Sequence, residues 1–149
     1  MLQINYDPAN NPLNNNEWSF PLLECIHIAM FAMSIGTIAI VDLRMLGLAF
    51  KKQTSEQLLK MTSIWTMIGL VVVISSGLVL FSTDALRYYY NDSFRYKCIA
   101  LTVAVIYNYT IHRKVAMSKD PGGAGVVVAA FSLLLWISIV YAGIFYAFT

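Results

Sequence analysis

Five ionisable side chains interrupt otherwise apolar runs of this 149-residue sequence: Glu24, His27 and Asp42 early in the chain, Lys97 and His112 later. At bilayer depth each such group costs roughly 2.5–3.5 kcal/mol or more, so each needs a partner or a task. At helical spacing Glu24, His27, Phe31, Ser34, Ile38 and Asp42 form one stripe, and Lys97, Leu101, Ala104, Asn108 and His112 another. If the two segments cross in the same direction, Glu24 comes level with Lys97 and Asp42 with His112 or Arg113. Two structural ion pairs are then expected, Glu24 with Lys97 and Asp42 with Arg113 or its neighbour His112, clasping the same two helices at both ends.

His27 lies outside those clasps. As a neutral imidazole it can ligate haem iron or copper, exchange protons with Glu24 one turn away, or hydrogen-bond a Ser or Thr of a neighbouring helix. His27 and His112 are both candidate haem b ligands, but they fall about 15 Å apart along the membrane normal and so cannot share one haem within a chain. A b-type haem then needs His27 plus a ligand from another protomer or subunit, or each histidine needs its own site with Met or a partner's His. His27, Met30 and Met33 recur at i, i+3 and i+6 and form a soft donor set for Cu(I), the alternative cofactor, although Met is also a common gap filler. Cys25 and Cys98 have no metal-site spacing and, on the face geometry above, turn to opposite sides of their helices.

The elements that must carry these residues are membrane helices. Hydrophobic residues make up 58% of the chain and charged residues only 12%, with a mean hydropathy of +0.64, so a water-soluble surface cannot be built. About 20 mostly apolar residues cross a bilayer, and four segments qualify, approximately 21–50, 58–82, 95–117 and 125–149. The fold class expected is an all-α integral membrane four-helix bundle: a polar tail over residues 1–20 and one transmembrane domain over residues 21–149. Strands are excluded by the lack of period-two alternation. The first twenty residues carry no Lys or Arg and no apolar core, so the first helix is expected to act as its own targeting signal. Ser118–Gly125, SKDPGGAG, reads as a tight turn joining antiparallel neighbours.

Positive charge sets the orientation. Arg44, Lys51, Lys52, Lys60, Arg113, Lys114 and Lys119 fall on one side, against Arg87, Arg95 and Lys97 on the other, which puts both termini on the outer, periplasmic side. Trp18, Phe20, Tyr88, Tyr89, Tyr90, Phe94, Tyr96, Phe145, Tyr146 and Phe148 gather at that same boundary. The net charge of +2 is too small and too scattered for nucleic acid. No nucleophile–base set and no phosphate loop is present, so the chain is not expected to be an enzyme on its own.

The order of motifs, FPLLECIHIAM, IVDLRMLGLAF, SSGLVLFS and NDSFRYKCIALTVAVIYNYTIH, resembles an uncharacterised bacterial family of four-helix membrane proteins, distantly similar to copper-resistance D-type proteins and cytochrome b-like membrane modules. The resemblance covers residues 20 to 112. It rests on Glu24 with His27, on Asp42, Leu43 and Arg44, and on Phe94, Lys97, Asn108 and His112. It implies a multi-pass protein of the bacterial inner membrane linked to redox or metal chemistry. The function expected is a small subunit of a redox or electron-transfer assembly, with His27 as a haem ligand near the outer face; the alternatives are a purely structural or assembly subunit and a copper transport or resistance protein. Partners are then the lipid bilayer and other membrane or periplasmic subunits or a second copy. The Asn-rich segment Asn10–Asn16 departs from the pattern and is a candidate partner contact.

Overall fold

The computed structural model describes residues 10–118 and 122–146, and every regular element among them is helical. A single 3₁₀ turn, Pro12–Asn15, precedes α1 (Ser19–Met45) and α2 (Ser55–Thr83). A short α3 (Ala85–Tyr90) leads into α4 (Asp92–Tyr107), which continues through one π turn (Asn108–His112) into α5 (Arg113–Ala116). The last helix is α6 (Gly122–Tyr146). Three of these, α1, α2 and α6, are long and apolar enough to cross a membrane. This is a multi-pass membrane protein.

Local chemistry fixes the ends. α1 stops at Met45, short of the expected Phe50, because Gly47 takes φ +73° and closes a Schellman cap: the Gly47 amide donates to the Arg44 carbonyl and the Leu48 amide to the Leu43 carbonyl, each at 3.0 Å. α2 begins at Ser55, three residues before the expected Leu58, because Thr54 and Gln57 form a reciprocal capping box. The sequence reading counted apolar residues and so missed the polar first turn. The expected turn at Ser118–Gly125 lies partly outside the described residues, as does Phe148.

The Asn-rich segment has a role within its own chain. Asn11 Nδ2 donates to the Ser82 carbonyl at 2.7 Å and Asn14 Nδ2 to the Thr83 carbonyl at 3.2 Å, which satisfies two of the carbonyls that the end of α2 leaves open. Nearby, Phe81, Tyr88 and Phe94 pack into a three-ring cluster with centroids 5.1–6.1 Å apart, closing the α2–α3–α4 corner.

α1 packs along α2, α4 along α6, and α1 also meets α6, joining the two pairs. Gly69 sets the closest approach in the first pair: a Cβ there would stand 2.2 Å from Ser34 Oγ and 3.0 Å from the Met30 carbonyl. Small residues let helix backbones approach in this way where apolar burial gives no driving force. One core layer holds Ile38, Leu70, Ala100, Ala104, Trp136 and Ile139, the two alanines leaving room for the indole. A second holds Val41, Met45, Leu58, Ala116 and Ala129, where Ser55 Oγ also donates to the Ala116 carbonyl at 2.9 Å. The opposite faces carry exposed Trp65, Ile68, Leu78, Ile99, Ile106, Leu134 and Ile137, an apolar surface suited to lipid.

Candidate functional site

The two histidines occupy different environments. His27, in the third turn of α1, is half-buried, and its Nδ1 meets Ser76 Oγ of α2 at 2.8 Å. Ser76 Oγ also donates back to the Val72 carbonyl at 2.6 Å. Gly77 makes room for the ring, since a Cβ there would lie 3.3 Å from His27 Cε1. Phe31 stacks beside the imidazole at 6.5 Å, and the indole of Trp136 meets the edge of Phe31 at 6.4 Å. Of the options open for His27, the hydrogen bond to a serine of a neighbouring helix is present.

Lys97 approaches the same region from α4, with its Nζ 5.5 Å from the centroid of Phe31. It does not reach Glu24. Glu24 is exposed on α1, and among the described residues neither takes part in an ion pair within 4 Å. The expected Glu24–Lys97 clasp is therefore replaced by a cation–π contact. The helical stripes put both groups at the same height and facing one another, but Glu24 is exposed and the Lys97 ammonium lies over Phe31 instead.

At the other end of α1 the expected clasp exists with a different partner. Asp42 is fully buried, and its Oδ1 lies 2.5 Å from His112 Nε2 while its Oδ2 accepts from Ser132 Oγ of α6 at 2.7 Å. Arg113, the other candidate, is exposed. Three helical stretches thus converge on one carboxylate. Ser132 was not singled out in the sequence; its signal is its place in the stripe Ala129, Ser132, Trp136, Ile139, Ala142, all buried along one face of α6.

The π turn is what brings His112 there. Its extra residue per turn bulges the backbone over Asn108–His112, and such turns recur at functional sites. Asn108 and His112 are both buried inside it, and two of their atoms, Asn108 Oδ1 and His112 Nδ1, have no hydrogen-bond partner among the described residues. Both residues line a cavity of about 20 Å³, along with Thr37 and Thr66, whose hydroxyls pair at 2.8 Å.

The geometry bears on each cofactor donor in turn. His112 sits level with Asp42, fifteen residues along α1 from His27, or roughly 22 Å at helical rise. The two imidazoles belong to separate sites, as the spacing predicts. His112 has committed Nε2 to Asp42 and faces a space far smaller than a haem. At His27 the donor set fits better: with Nδ1 held by Ser76, Nε2 is the nitrogen left for a ligand, the arrangement by which ligating histidines are usually oriented. Met33 does not join it. The Met33 methyl packs where a Gly69 Cβ would stand, at 3.2 Å, and Gly69 lies eight residues along α2 from the glycine beside His27. No group of three or more His, Cys, Asp or Glu side chains suited to a metal ion occurs among the described residues. Cys25 and Cys98 are free and exposed.

A family model matches residues 20–149, from the start of α1 through the end of the chain. The chain belongs to the DUF6644 family of unknown function. No curated protein and no solved structure matches it. Both histidine environments lie within the DUF6644 region, whereas Asn11 and Asn14, which cap α2, lie before it. The comparisons supply an uncharacterised family and add no likeness to copper-resistance or cytochrome b-like proteins.

Proposed function

We propose that this DUF6644 protein is a small four-helix subunit of a redox or electron-transfer assembly in the bacterial inner membrane, with His27 as a haem b ligand. The fourth crossing in this reading is the continuous helical path from Asp92 to Ala116, which at about 1.5 Å per residue reaches some 37 Å, enough for a ~30 Å hydrocarbon core. Lys51, Lys52 and Arg113 favour the cytoplasm for the Asp42 end, so both termini and the His27 end face the periplasm.

The observation that carries the reading is the bond between His27 Nδ1 and Ser76 Oγ. It fixes the tautomer and angle of an imidazole near one membrane face and leaves Nε2 as the coordinating atom. Gly77 keeps the space that the ring occupies. A bound haem would supply one-electron chemistry, and His112 would not be its second ligand, because it lies roughly 22 Å away at helical rise.

The test is an oxidised-minus-reduced absorption spectrum of the protein purified in mild detergent with its native partners, with iron and copper quantified on the same sample. A b-type band that disappears in His27→Ala and shifts in Ser76→Ala supports the haem reading. A spectrum without such a band, from a preparation that retains its partners, overturns it. The same interhelix bonds also favour a second reading, a purely structural or assembly subunit, because Asp42, His112 and Ser132 tie three helices without any cofactor. That reading expects His27→Ala to keep partner assembly intact. Copper transport keeps only the sequence spacing of His27, Met30 and Met33, and unchanged copper tolerance in a Met30→Leu, Met33→Leu strain would remove it.

A further inference from the structure

Basic side chains gather where α1 ends and α2 begins, a feature that neither a haem site nor a helix tie accounts for. Lys51, Lys52, Lys60, Arg113 and Lys114 are exposed there and Arg44 is half-buried. Among the described residues at that end, Glu56 is the one carboxylate outside the core, and Lys60 already meets it at 2.6 Å. The surface is strongly and unevenly positive.

Three hydrogen bonds assemble it. The Gln53 amide donates to the Phe50 carbonyl at 3.1 Å, so Lys51 and Lys52 hold the two central positions of a closed turn. Arg44 Nε donates to the Gln53 carbonyl and anchors that turn to the last residues of α1. Ser55 Oγ then donates to the Ala116 carbonyl at 2.9 Å, which sets the start of α2 against the short helix that carries Arg113 and Lys114. Arg113 also lines a cavity with Leu59 and Ser63, the residues of α2 on either side of Lys60. We propose that this face binds an anionic phospholipid, with Lys51 and Lys52 on one side of the Ser55–Ala116 bond and Arg113 and Lys114 on the other gathering its phosphate.

The neighbouring residues select a lipid over a soluble anion. Leu48, Phe50 and Met117 are exposed in the same segments as the cations, and Phe50 takes φ +56°, a conformation uncommon for a residue with a Cβ. Free phosphate has no use for them, whereas the glycerol and upper acyl carbons of a lipid do. α1 and α2 are each long enough to cross the membrane, so the loop between them lies at headgroup level. Lys and Arg reach that level with their methylene stems against apolar surface and their charges in the polar layer. Basic clusters beside membrane helices recognise anionic headgroups in this way, and arginine adds a planar fork that matches phosphate. A zwitterionic lipid brings its own ammonium group, which this surface repels. The site is independent of any ligand at His27, near the other end of α1.

Spin-label resonance on the full chain, reconstituted in phosphatidylcholine membranes with trace spin-labelled phosphatidylglycerol or phosphatidylcholine, tests this. The protein should immobilise phosphatidylglycerol several-fold more strongly than phosphatidylcholine. Lys51→Gln with Lys52→Gln, and separately Arg113→Gln with Lys114→Gln, should bring the two lipids close to parity, with helix content unchanged by circular dichroism. Arg87→Gln with Arg95→Gln, which removes the same charge near the opposite end of α2, should leave the preference intact. Sodium phosphate and sodium chloride at equal ionic strength should weaken it equally. Equal immobilisation of the two lipids by the wild-type protein overturns the proposal and leaves the face to an acidic protein partner. An equal loss in the Arg87, Arg95 variant overturns it as well, since net charge alone would then be at work. Loss in only one of the two cluster variants separates the turn from the short helix, and displacement by phosphate but not chloride marks a free-anion site; either result defeats the proposal. If a cluster variant does not fold, the wild-type preference and the phosphate–chloride comparison decide.

Discussion

The two ends of α1 solve one problem in opposite ways. Each meets a histidine that must be accommodated in an apolar helix assembly, its own His27 at one end and His112 of the π turn at the other. Near its start, His27 is half-buried and bonded through Nδ1 to the Ser76 hydroxyl, with glycine and phenylalanine shaping the space around it. Near its end, His112 is enclosed, bonded to a buried carboxylate that a serine also holds, and set in a backbone bulge beside a void. The first site is half open; the second has closed around its polar groups. A histidine's position in an apolar stretch therefore reveals little until its neighbours are known.

The sharpest way to break the comparison is Asp42→Ala. Removing one partner of a buried pair strands the other, which costs about 3–5 kcal/mol. We expect a large loss of unfolding free energy in a denaturant titration in mixed micelles. A loss no greater than that of Ser76→Ala would show that the buried pair is no tighter than the His27 contact. Gly69→Val should follow, at about 1–3 kcal/mol, because the added carbon atoms meet Ser34 and the Met30 carbonyl at the α1–α2 seam. A thermal melt should register it as a clear drop in Tm. The smallest effect belongs to Ser76→Ala, since interhelix hydrogen bonds in membranes average about 0.6 kcal/mol. If that substitution rivals Asp42→Ala, the His27 end is structural and the asymmetry drawn between the two sites is wrong.

Much of this was legible in the sequence, for identifiable reasons. Apolar length and charge scarcity report the membrane helices, because the bilayer imposes one thickness on all of them. The height of Asp42 relative to His112 follows from counting at constant rise, whereas the depth separating His27 from His112, expected at about 15 Å, comes to roughly 22 Å along α1. Direction around the helix is harder. It misassigned Lys97, which turned to Phe31 rather than Glu24, and left Arg113 and His112 undivided as partners of Asp42. Ser132 was hidden because a serine on an apolar helix is common and its carboxylate partner lies ninety residues away. The π turn has no composition of its own; NYTIH gives no glycine or proline to mark it.

That turn has a consequence for how the sequence tolerates change in length. A single inserted peptide unit shifts the angular phase of everything after it, so Arg113–Ala116 meets α2 at a different rotation from that of an uninterrupted helix. The Ser55 hydroxyl latches onto the Ala116 carbonyl at that rotation. Deleting one residue from the turn would give a more regular helix and still put the latch out of phase by about 100°. The irregular backbone is the gauge that aligns the two halves of the α4–α5 rod with their separate neighbours.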